Sequence, residues 1–135
     1  MLCWIYKIIP CKCYEKYDDW KQCHCDYHHL EPISNQKGIV LNTCCWIDGD
    51  FTFDMKVDPP LMHDDKSFSI LHCEITPCDR RDPKMKEFIT KLKQLKKERR
   101  DRIEVEIDGI LTWDGGHGRL EIHPVSKAVF LNDYG

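Results

Sequence analysis

The chain has 135 residues, of which 41% are hydrophobic and 32% charged, with a formal net charge of −3. That is enough chain for one domain with a substantial core, and the composition is ordinary for a soluble globular protein. No run of about 18 apolar residues occurs, which excludes a membrane-spanning helix. The charge is uneven: between Asp79 and Arg102 there are 11 Lys/Arg against 5 Asp/Glu, leaving the rest of the chain acidic. A basic block on an acidic body permits nucleic-acid contact, while a solvated helix face is the plainer reading of it.

The start, MLCWIYKIIPCKC, is apolar but short and broken by Lys7 and Pro10. It lacks a basic n-region and a small-residue cleavage site, so a cytoplasmic location is expected. Residues 1–33 read as an N-terminal extension distinct from a domain spanning 34–135. They hold Trp4, Tyr6, Tyr14, Tyr17, Trp20 and Tyr27 without a clear period, and suit packing on the body or docking on a protein partner. Five of the nine cysteines fall in the first 25 residues. Cys11, Cys13, Cys23 and Cys25, followed by His28 and His29, offer thiolate and imidazole donors for zinc. The spacing is C-x-C rather than C-x₂-C, so reduced thiols come first, with a zinc site and disulfides as alternatives.

From Lys37 the pattern becomes regular. GIVLNTCCWI reads as a strand, Asp48-Gly49-Asp50 as a tight turn, and FTFDMKV as a half-buried strand with Phe51, Phe53, Met55 and Val57 on one face. Asp58-Pro59-Pro60 is expected to end that strand. After a polar loop through His63–Lys66, SFSILHCEI is a third strand. Asp82-Pro83 marks an N-cap and first turn of a helix over about 84–97. Its apolar stripe is Met85, Phe88, Ile89, Leu92 and Leu95. RIEVEIDGILTWD is a fourth strand, with a bulge or bend expected at Gly109. GRLEIHPV, continuing weakly through SKAVFL, is a fifth, interrupted at Pro124. The order β-β-β-α-β-β predicts a mostly β chain folded as a five-stranded OB-fold barrel.

Residues 109–125, GILTWDGGHGRLEIHPV, carry an unusual density of functional groups. Asp114, His117, Arg119, Glu121 and His123 fall in the turn or share a face of the last strand. The fold places this turn and the Asp48–Asp50 turn beside one binding face, so the two are expected to meet. Asp48, Asp50, Asp114 and Glu121 could hold a hard cation, and the histidines with carboxylates a transition metal. His117, Arg119 and His123 could meet phosphate or a base edge. Aspartates that merely cap turns are the structural alternative.

Two resemblances arise at these residues. IDGD at 47–50, ITP at 75–77, the Lys-rich helix leading into IEVEID and GHGR at 116–119 resemble the staphylococcal-nuclease family, itself an OB-fold. That likeness matches Arg119 to a phosphate-contacting arginine. Ile75 stands in place of a metal-binding aspartate and Cys78 in place of the general-base glutamate, while Ser69, Ile70 and Leu71 occupy the region of a second phosphate arginine. DGDFTFDMKVD, HCEITPCD and DGGHGRLEIHPV are more similar to small prokaryotic OB-fold proteins of uncharacterised function, over roughly residues 30–130. There Thr52 replaces a frequent histidine and Arg119 a frequent tryptophan. This likeness implies the fold and no activity.

Three functions are compatible with these features. The first is a non-catalytic binding module for single-stranded nucleic acid, through the basic helix 84–102, or for an anionic ligand. The second is an accessory subunit docked through the extension. The third, ranked below them, is a metal-dependent hydrolase acting through Asp48, Asp50, Asp114 and His117.

Overall fold

The computed structural model describes residues 27–134. Five strands are present: β1 (Tyr27–Cys45), β2 (Phe51–His63), β3 (Lys66–Ile75), β4 (Glu104–Asp114) and β5 (Arg119–Phe130). A 3-10 turn (Asp79–Arg81) and one helix, α1 (Pro83–Lys97), separate β3 from β4. The sheet closes on itself in the order β1-β2-β3-β5-β4, antiparallel throughout except for the parallel β3–β5 pair that completes the ring. Among the described residues no helix is long and apolar enough to cross a membrane.

Strict alternation on β2 fills the interior. Phe51, Phe53, Met55 and Val57 are at most 1% exposed. They meet Leu71, Cys73 and Ile75 from β3, Val105 and Ile107 from β4, and Leu120 and Ile122 from β5. The stripe on α1 is buried as expected, through Met85, Phe88, Ile89, Leu92 and Leu95. Phe88 packs against Phe53 at 5.9 Å and stacks on Phe130 at 4.8 Å between ring centroids. Each of these large side chains contributes about 1.5–3 kcal/mol when withdrawn from water. Asp82 caps the helix by accepting from the Lys84 amide at 2.9 Å.

Two strands run further than the sequence suggests. β1 begins at Tyr27, where it pairs with Asp114 of β4, so the expected boundary at 33/34 falls inside a strand. Irregular register between His29 and Glu31 and between Ile33 and Gln36 obscures its alternation. β2 continues through Pro59 and Pro60 to His63 because its ladder shifts register between Lys56 and Leu61. There the prolines' missing N–H groups are not required. β5 runs on past Pro124 as expected, the ladder stepping from Ile122, opposite Leu111, to Val125, opposite Gly109. The register shifts at Gly109 confirm the bulge, and its cause is steric: a Cβ there would strike Ile122 and the Pro124 carbonyl.

Candidate functional site

The Asp48–Asp50 turn is held by its own groups. Asp48 Oδ1 accepts from the Asp50 amide at 3.0 Å, and Gly49 adopts φ +97°, a conformation that disfavours side chains. The Gly49 carbonyl accepts from Arg80 Nη1 at 2.8 Å, which ties the turn to the segment before α1. A groove of about 470 Å³ opens here, lined by Gly49, Pro77, Arg80, Arg81, Lys86, Ile89, Thr90 and Lys93. Four of these side chains are cationic and none is a carboxylate. Lys86, Thr90 and Lys93 recur at helical spacing and so share one face of α1. Trp46 and Ile47 of the same β1–β2 turn are 54% and fully exposed.

The second hairpin forms a separate polar cluster. Asp114 closes its turn by accepting from the His117 amide at 3.1 Å and pairing with His117 Nδ1 at 2.8 Å. Arg119 Nε donates to Glu121 Oε2 at 2.6 Å and its guanidinium reaches to 4.0 Å from Asp114. Glu121 is 2% exposed although it faces away from the apolar interior. Burial pushes its carboxyl up to about 7, Arg119 opposing this and Asp114 reinforcing it. Burial also acts to raise Asp114, but hydrogen bonds from Glu121 and His117 outweigh it, so Asp114 lies below the usual carboxylate range. Of the two carboxyls, Glu121 is therefore the one that holds a proton more readily.

β3 lies beside this cluster and supplies residues that sequence reasoning missed. His72 Nδ1 is 2.7 Å from Asp54 Oδ1, and His123 Nδ1 is 3.4 Å from Glu74 Oε2. A hollow of about 350 Å³ lined by Asp54, Ser67, Phe68, Ser69, Ile70, His72 and Arg119 opens next to them. The relevant signal is two short patterns, His72-x-Glu74 and Glu121-x-His123. It becomes legible only once the parallel pairing of β3 with β5 is known. Cys73, on the interior face of the same strand, is an inert thiol: burial raises it well above its ordinary value, with Asp54 and Glu121 adding to the shift.

The expected meeting of the two turns does not occur. Phe51 pairs with Ile75 and His72 with Glu121, so the Asp48–Asp50 turn lies past the end of β3 while the 115–118 turn lies toward its start. The parallel β3–β5 step sends the two hairpin tips in opposite directions along the sheet. Asp114, His117, Arg119, Glu121 and His123 therefore form one group, and Asp48 and Asp50 belong to another. Cys11, Cys13, Cys23 and Cys25 lie outside the described residues. Of the other cysteines, Cys44, Cys45 and Cys73 are free thiols. Cys78 is disulfide-bonded.

No family model, curated protein or solved structure matches the chain.

Proposed function

We propose that this chain is a non-catalytic binding module of OB type whose ligand is a phosphate chain, with single-stranded nucleic acid as the polymer it suits. The observation that carries this reading is the groove beside α1, where Arg80, Arg81, Lys86 and Lys93 converge without a lining carboxylate. Phosphates arriving in the groove displace the counterions of these cations, which favours association. The Thr90 hydroxyl adds a neutral donor along the same wall. Trp46, on the turn that contributes Gly49, offers a face on which a base can stack, and such stacking tolerates any sequence. A hydrolase acting through both turns is not supported, because their carboxylates fall at opposite ends of β3.

The test is fluorescence anisotropy with a labelled single-stranded oligonucleotide at low salt, on the whole chain in the presence of chelator. Arg81 and Lys93 are exposed, so Arg81→Glu with Lys93→Glu should leave the fold intact and weaken binding at least about tenfold. Equal affinity of the wild type and the double variant would remove the groove from the account. Absence of binding by either would leave the accessory-subunit reading in its place.

A further inference from the structure

β3 and β5 run parallel as neighbours, with His72 opposite Glu121 and Cys73 opposite Ile122. Because side chains alternate, His72 and Glu74 of one strand emerge on the same outer face as Glu121 and His123 of the other. Carried one step further, this register brings Glu74 beside His123. One donor atom from each of Glu74, Glu121 and His123 lies within 4.8 Å of the other two. All three belong to strands of the closed sheet, so the ladder rather than a turn fixes where they stand.

The donor set decides which ion suits it. Two carboxylates with one imidazole are a set for a divalent first-row transition ion, since imidazole favours zinc and its neighbours whereas magnesium and calcium prefer oxygen alone. Bonds of about 2.0–2.2 Å place the ligands of such an ion roughly 3–4 Å apart. The three donors therefore need a contraction small enough for side-chain rotation to supply. Asp54, Glu74, Asp114 and Glu121 gather on this face, and Arg119 pairs with Glu121 and approaches Asp114. The hollow lined by Asp54, His72 and Arg119 lies beside Glu121, which Arg119 contacts.

We infer that Glu74, Glu121 and His123 bind one divalent transition ion of the zinc class, with water completing its coordination. This site is separate from the basic groove and uses no cysteine. The experiment takes the whole chain, stripped by chelator and dialysed, and titrates it with Zn²⁺ by calorimetry and with Co²⁺ by absorbance. The expected result includes a Co²⁺ complex whose visible bands lack the near-ultraviolet thiolate absorption that cysteine ligation would bring. Glu74→Gln keeps the shape and removes a ligand, and should weaken that complex at least about tenfold while the metal-free melting curve stays close to the wild type. His123→Gln should act likewise; should it fail to fold, Glu74→Gln and the cobalt spectrum decide. Cobalt bound only with thiolate absorption, an affinity unchanged by Glu74→Gln, or uptake of Ca²⁺ or Mg²⁺ without Zn²⁺ or Co²⁺ would each overturn the assignment. Oligonucleotide binding, read in chelator, stands or falls independently.

Discussion

Glu121→Gln, studied in chelator, probes the carboxyl pair most sharply. In the folded chain Glu121 is raised from 4.5 to about 7, so the folded state holds this proton more tightly than the unfolded state does. Its contribution to stability is complete below about pH 4.5 and is lost as pH rises to about 7. Converted at 1.36 kcal/mol per pH unit, that loss is on the order of 3 kcal/mol. Glutamine cannot ionise, yet its amide oxygen can accept from Arg119 and its NH₂ can donate to Asp114. Urea unfolding between pH 5 and pH 8 should therefore show wild-type stability falling with pH by about this amount, and the variant nearly flat. At pH 8 the variant should be the more stable protein, by on the order of 3 kcal/mol. Parallel pH profiles for the two proteins, or a variant weaker at pH 8, would mean that burial does not hold the Glu121 carboxyl above its ordinary range.

Two further expectations concern the fold. Gly109→Ala drives a methyl group into Ile122 and the Pro124 carbonyl, and because backbone cannot move aside as a side chain can, it should cost at least about 1–3 kcal/mol. A thermal melt unchanged from the wild type would show that the bulge has room. Leu92 is fully buried in the helix stripe, so Leu92→Asp places an unpaired charge in the core at a cost of several kcal/mol. It should abolish the cooperative transition in circular dichroism, and a retained transition would remove α1 from the core.

Much of the fold was legible because alternation and helical spacing are local properties. The β2 face, the Asp82 cap, the α1 stripe and the Gly109 bulge all follow from residues within a few positions of one another. The excess lengths of β1 and β2 were not legible, since prolines and irregular stretches look like strand ends until the partner's register is known. Within the candidate site, the grouping of Asp114, His117, Arg119 and Glu121 followed from a single hairpin. Asp54, His72 and Glu74 were hidden, because in sequence they are only the polar half of two alternating strands. The same parallel β3–β5 step that brings them to His123 carries the Asp48–Asp50 turn away from His117, which is where the expectation of a joint site failed. The basic segment was visible as charge, but its convergence with Gly49 and Pro77 needed the hairpin tip to fold back onto α1.

The measurement that most directly tests the central claim is the salt dependence of oligonucleotide binding. With four groove cations each meeting a phosphate, the logarithm of the affinity should fall against the logarithm of the salt concentration with a slope of about −3. Replacing Lys93 with alanine should make that slope shallower by about 0.7. A wild-type slope near zero, or one that Lys93→Ala leaves unchanged, would contradict a phosphate-binding groove on this face of α1.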